Sequence, residues 1–224
     1  MINKELITIV FEKLLKCYGR QYWWPAKSTD EIIIGALLTQ NTNWNNVIKA
    51  INNLKGSDLC SLNALQSADV ETIAQLIKPS GYYNVKAGRL KELCEAINNT
   101  DLANMKLNEA RRWLLNIKGV GNETADSILL YAFNKPVFVI DAYTQRLFSR
   151  LLNQKKVLRY NELQSLFHNN LPADVTLFNE YHALLVNHAK HKCKKTQPFC
   201  RECCIKLDCS YYLEGISETN NYTD

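Results

Sequence analysis

Three groups of residues have the types and spacing to do chemistry. The first is Cys193, Cys200, Cys203 and Cys209, in the order C-x6-C-x2-C-x5-C. Four thiolates in so short a segment bind a compact ion or cluster. Zinc is the generic alternative, although its usual sites use two C-x2-C pairs and only one close pair occurs here. The second group is Ile117-Lys118-Gly119-Val120-Gly121, which reads as a tight hairpin between two helices. Gly119 and Gly121 permit a sharp turn with exposed N–H groups, and a helix starting at about Asn122 adds its dipole. Such a helix start is an anion site, with phosphate as its natural ligand. A plain αα-hairpin with a glycine turn is the alternative on these residues alone. The third is Asp141, a carboxylate that ends the apolar run Val137-Phe138-Val139-Ile140. Its place also suits a helix N-cap.

The elements that must hold these groups read as helices. Residues 3 to 18 put Ile7, Val10, Phe11, Leu14 and Leu15 on one face. Tyr22-Trp23-Trp24-Pro25 is an aromatic cluster that the proline breaks. Ser28 or Asp30 caps a helix from Glu31 to about Thr39, apolar on all sides at its centre and therefore buried. After the polar break Thr39–Asn43 come helices over Trp44–Leu54, Asp69–Ile77, Tyr82–Ile97 and Leu107–Asn116. The helix after the hairpin carries Ala125, Ile128, Leu129 and Ala132 on one face. Further helices are expected at about 142–152, 159–169 and 175–191, and a polar, frayed tail after Leu213. The outcome is an all-α protein.

Composition sets outer limits. The chain has 224 residues, 46% of them apolar, which fills a real core in one large domain or two small ones. No N-terminal signal is evident, and the longest apolar stretch, Ile32–Leu38, is far too short to span a bilayer. A soluble, intracellular protein, in the cytoplasm or nucleoid, is expected. Of eight cysteines, five crowd into 193–209, while Cys17, Cys60 and Cys94 are scattered. Without a secretory signal, that distribution suits a metal site better than disulfides. Lys190, Lys192, Lys194, Lys195 and Arg201 crowd the same loop. Their partner is a phosphate backbone or the negative charge of the thiolates.

The pairing of L-x-x-I-K-G-V-G-x-x-T-A (114–125) with V-I-D-x-x-x-x-R (139–146) resembles the helix-hairpin-helix DNA glycosylases of the endonuclease III superfamily. The resemblance runs over nearly the whole chain. It implies two helical domains with a DNA-binding cleft. Residues 23–133 would form a six-helix barrel domain carrying the hairpin. Residues 1–22 with 134–212 would form an iron–sulfur domain, and 213–224 a flexible tail. The cysteine spacing is that of the family's [4Fe–4S] loop, so Cys193, Cys200, Cys203 and Cys209 would hold that cluster, with Cys204 outside the pattern. Lys118, Gly119, Val120 and Gly121 would grip a DNA phosphate, and Asp141 would serve the chemistry at the sugar. Gln40, with Asn41 as the alternative, matches a glutamine that enters the DNA stack; a polar capping turn is the plainer reading. The string I-x-x-x-G-x-Y-x-x-K-A (77–87) marks a turn and helix near DNA. It makes Lys86, beside Arg89, a phosphate contact, as Lys194 and Lys195 would be in the cysteine loop.

The family's bifunctional members place a Schiff-base lysine two residues after the second hairpin glycine, where this chain has Glu123. A monofunctional enzyme that uses water follows. Gly35 falls near the catalytic glutamate of the adenine-mismatch branch, which argues against that branch. W-W-P, L-L-T-Q-N-T, P-S-G-x-Y-N-x-K-A and G-x-G-x-E-x-A-D resemble the 3-methyladenine DNA glycosylases instead. By that match Trp23, Trp24 and Trp44 line a base pocket, Pro25 shapes it and Glu123 stands at its wall; core packing is the other account of the tryptophans. The implied function is hydrolysis of the N-glycosidic bond of alkylated purines in double-stranded DNA containing a damaged base, by a monomer with no membrane partner. The alternatives are an endonuclease III-like glycosylase for oxidised pyrimidines with AP-lyase activity, a non-catalytic DNA-binding hairpin protein, and a redox-sensing cluster protein.

Overall fold

The computed structural model describes the backbone of residues 4–23, 26, 28–153 and 158–220, and the side chains of 5–23, 26, 28–153 and 158–215. Among these residues every regular element is helical. In chain order they are α1 Lys4–Tyr18, α2 Thr29–Leu38, α3 Trp44–Gly56, α4 Leu62–Ser67, α5 Val70–Leu76, α6 Tyr83–Asn98, α7 Leu107–Leu115 and α8 Asn122–Ser127. They continue as α9 Ala142–Leu151, α10 Tyr160–Asn170, α11 Val175–His191 and α12 Ser210–Asn220. Helix starts are written in the sequence. Ser28, Asn43, Ser61, Asp69, Asp141 and Asp174 each accept a backbone N–H of their own first turn, worth about 1 kcal/mol apiece.

The chain forms two compact units, Met1–Trp23 with Val137–Asp224, and Trp24–Pro136. The inserted unit is built around α2, whose residues 33–38 are all buried. α3, α6 and α8 pack on it, and α4 and α5 pack on α6. α8 runs on as a π-turn, Ile128–Ala132, fully buried over its first four residues. Six helices were expected; the described residues of this unit hold seven. The addition is α4, six residues long and too short to display a helical period.

In the other unit α1 lies on α11, and α11 on α9. Ile7, Val10 and Leu14 are buried, and the buried Tyr181 hydroxyl donates to the Ile7 carbonyl at 2.8 Å. Phe138 stacks on Phe167 with ring centres 3.7 Å apart and meets Phe178 and Tyr181 edge-on. Residues 137–140 lie outside any regular element. Three side chains spaced by four on α10 satisfy them instead. Tyr160 Oη accepts from Ile140 N (3.4 Å), Gln164 Nε2 donates to Phe138 O (2.8 Å), and His168 Nε2 accepts from Phe138 N (2.9 Å). The expected tail does not begin at 213, since α12 continues to Asn220. That helix packs against α9, and Asn153 hydrogen-bonds Glu214, tertiary support that a polar sequence does not advertise.

Candidate functional site

The hairpin lies between α7 and α8. Gly119 has φ +85°, the left-handed region that favours glycine, and Gly121 has φ −96° and ψ 179°, ordinary extended backbone. The turn therefore requires one of the two glycines, not both. Space adds to the requirement at Gly119. A Cβ there would stand 2.4 Å from Arg89 Cδ, because the Arg89 side chain lies across the glycine. The two flanking helices are tied by a buried ion pair. Arg111 donates to both carboxylate oxygens of Asp126 at 2.7 and 3.1 Å, and to Asn122 Oδ1 at 3.0 Å, with Asp126 fully buried. The hairpin thus holds its shape with its own atoms.

Of the residues expected to face DNA here, Lys118, Gly121 and Glu123 are exposed. Val120 is not. Its N–H donates to Ile117 O at 3.0 Å and its side chain is 6% exposed. It serves the turn and the core. The reading of Lys86 is corrected. It is 2% exposed, and its ammonium donates to Leu38 O and Ser80 O, both at 2.8 Å. Burial lowers its pKa to about 8. A lysine so placed closes off the end of α2 and the 78–81 turn and has no face for a phosphate. Arg89, one helical turn on, lies at the hairpin instead. Gln40 directs its amide nitrogen to Gly119 O and Thr124 Oγ1, both at 2.9 Å. Asn41 beside it is exposed with φ 53°. Trp44, first residue of α3, is half-buried.

In the other unit Asp141 is 9% exposed and caps α9, Oδ1 accepting from Thr144 N at 2.7 Å. Its Oδ2 stands 3.8 Å from Nε2 of the buried His182. Burial lowers the His182 pKa, and the Asp141 carboxylate partly opposes that. The imidazole is therefore neutral at pH 7, and Asp141 is held beside it by two elements, α9 and α11. Trp23 is half-buried. Trp24 and Pro25 lie outside the described residues.

Cys193, Cys200, Cys203 and Cys209 line one pocket with Leu147, Ile205 and His188. Arg150, Lys192 and Lys206 line it too. Arg150 donates to Cys193 Sγ at 3.1 Å and to the carbonyls of Lys194 and Lys195 at 2.7 and 3.0 Å. Arg146, one turn earlier, donates to Cys193 O and Ala189 O. His188 links Cys203 Sγ (3.4 Å) to the Tyr18 hydroxyl (2.7 Å). The soft donors, the apolar lining and the surrounding cations fit a negatively charged thiolate cluster. Among the described residues no three His, Cys, Asp or Glu side chains form a ready single-ion site. Lys194 and Lys195 are exposed, the former with its ammonium 4.6 Å from the Phe199 ring centre. Sequence reading missed Arg150, His182, His188 and the Tyr160–Gln164–His168 ladder. The signal of the ladder, and of Arg150 after Arg146, was spacing by four on one helix face, which has no chemical meaning until the helix has a partner; His182 and His188 carried no such signal.

Residues 34–173 match the model of the HhH-GPD superfamily base excision DNA repair proteins. The chain is 45% identical over 214 residues to a protein of Methanocaldococcus jannaschii assigned by name to the DNA repair glycosylases, covering 92% of this chain and 96% of that one. The solved 3-methyladenine DNA glycosylase of H. pylori, bound to 1,N6-ethenoadenine, is 28% identical and superposes with a TM-score of 0.71, covering 84% of this chain and 98% of that one. A trapped endonuclease III–DNA covalent intermediate superposes with a TM-score of 0.82 at 19% identity, covering 96% and 100%. No helix among the described residues is long and apolar enough to cross a membrane.

Proposed function

This chain belongs to the HhH-GPD superfamily of base excision DNA repair proteins and is a DNA glycosylase, and from that premise we propose that it hydrolyses the glycosidic bond of alkylated purines without cleaving the strand. The observation that carries the reading is Glu123. It stands exposed in the first turn of α8, where the bifunctional relatives carry the Schiff-base lysine. A carboxylate cannot form that imine. The 28% identity to a 3-methyladenine DNA glycosylase supports the substrate class.

Breaking the bond builds positive charge on the deoxyribose. Asp141 stabilises that charge and orients the attacking water. An N3- or N7-alkylated purine is itself cationic, which weakens its glycosidic bond and removes the need for a strong general acid. The same charge favours an aromatic face, worth roughly 2 kcal/mol when desolvated. Trp23, Trp24 and Trp44 are the faces assigned to the base. The hairpin N–H groups, Lys118 and Arg89 hold the DNA phosphate. Cys193, Cys200, Cys203 and Cys209 hold a [4Fe–4S] cluster, which anchors their loop and takes no part in the bond-breaking step.

Duplexes with single lesions test this. Wild-type protein should release a methylated purine, and strand scission should appear only after alkali. Borohydride should trap no protein–DNA adduct. Asp141→Asn should bind DNA as before and lose about 2–4 kcal/mol of transition-state stabilisation. Release of thymine glycol with efficient trapping, and no action on methylated DNA, would replace this reading with an endonuclease III-like lyase.

A further inference from the structure

Gln40 sits between two capped helix ends. Before it, Thr39 closes α2, with both its N–H and its hydroxyl donating to Gly35 O. After it, Asn43 caps α3. The loop is short and fixed at both ends, so the direction of the Gln40 side chain is fixed as well. Its nitrogen lies 2.9 Å from the Gly119 carbonyl oxygen. A carbonyl only accepts, so the amide must present its N–H there. The second N–H of the same nitrogen goes to Thr124 Oγ1, on a residue 4% exposed.

The Gly119–Val120 peptide is thereby gripped from several sides. Gln40 holds its carbonyl, Arg89 covers the Cα of Gly119, and the Val120 N–H is engaged with Ile117 O. A peptide unit is planar, so fixing its oxygen and its nitrogen fixes its plane. The N–H groups leading into α8 continue from that anchored peptide.

We propose that Gln40 is a positioning residue for the hairpin, locking the Gly119–Val120 peptide through its amide nitrogen so that the 39–43 loop and the phosphate-binding turn form one rigid piece. This rests on the reading of the hairpin as the DNA-phosphate site.

Two variants and two readouts test it. Gln40→Leu removes the donor. Gln40→Glu replaces it with a group that donates only when protonated; as a carboxylate it faces the Gly119 oxygen with like charge. Amide exchange of Gly119, Gly121 and Asn122 is measured in the free protein, and affinity for an undamaged duplex is measured at fixed salt. Wild type is run in parallel at pH 7.5 and pH 5. With Gln40→Leu the exchange rates should rise about tenfold, and duplex affinity should fall by a similar factor, the scale of one buried acceptor left unmade. Gln40→Glu should match the leucine variant at pH 7.5 and move back toward wild type at pH 5, a recovery that a merely structural role would not produce. Unchanged exchange in both variants, or a glutamate variant with no dependence on pH relative to wild type, overturns the grip. Faster exchange with unchanged duplex affinity keeps the grip and overturns the hairpin as the phosphate site.

Discussion

The hairpin and the cysteine loop are both short connections with chemistry in them, and they are held in opposite ways. Around the hairpin the protein completes its own structure. Arg111, Asp126 and Asn122 join the flanking helices, Gln40 and Arg89 hold the turn, and Val120 and Ala125 are buried beneath it. Between residues 193 and 209 the only buried residue is Ile205, while Leu207 is 71% exposed and Phe199 nearly half. The regular structure there is two three-residue 3₁₀ turns. So thin a core does not repay the entropy of ordering the loop. One connection is therefore fixed by packing and ion pairing, and the other, on the proposed reading, depends on the cluster its thiols hold.

The largest effect should come from breaking that dependence. If the four cysteines hold the proposed cluster, removing its iron, or making Cys203→Ser, should abolish cooperative melting of the unit of residues 1–23 and 137–224, at a cost on the order of 10 kcal/mol, the scale of a structural metal site. Cys204→Ser, outside the four-cysteine pattern, should keep the iron and the melting. The check is amide exchange on the iron-free protein. The amides of α7 and α8 should stay protected while those of 193–209 exchange freely. Equal loss in both regions would erase the distinction.

Arg111→Ala strikes the opposite side. It leaves Asp126 buried without its partner, which should cost about 3–5 kcal/mol in urea unfolding. The absorption of a bound cluster should be unaffected. If stability barely moves, the hairpin is not held from within.

Lys86 supplies the smallest and most selective effect. Its pKa is lowered by burial to about 8 from 10.5, so the folded state gives up a proton that the unfolded state keeps. Between about pH 8 and 10.5 the unfolded chain binds more protons, and stability rises with pH across that window. Wild type should gain stability relative to Lys86→Met as the pH is raised from 8 to 10. A difference independent of pH would place the ammonium in water.

Much of this could be read from the residues. The helix periods of α1, α3, α6 and α11, the caps at Ser28 and Asp141, and the glycine turn all depend on neighbours in sequence. α4 was too short to show a period, and α12 is held by partners elsewhere in its unit. The side chains were harder than the helices. Lys86, Gln40 and Val120 all read as groups for a ligand; Lys86 and Val120 are buried, and Gln40, half-buried, bonds the hairpin. A polar residue beside a loop meets either solvent or an unpaired backbone carbonyl, and local sequence does not say which. At the end of α2 and at Gly119 there were carbonyls to satisfy, and a lysine and a glutamine did so. Asp141 was legible as a cap because its carboxylate meets the first-turn N–H of Thr144, its neighbour in sequence.

Gly119 has one more consequence, and it is stereochemical. With φ at +85° the residue sits where a D-amino acid is at ease. The side on which an L-residue would carry its Cβ is already filled by the stem of Arg89. The turn is thus made for the other hand. Ribosomal synthesis offers no residue of that hand, only one without handedness, so a single achiral position lets two right-handed helices fold back on each other at this point.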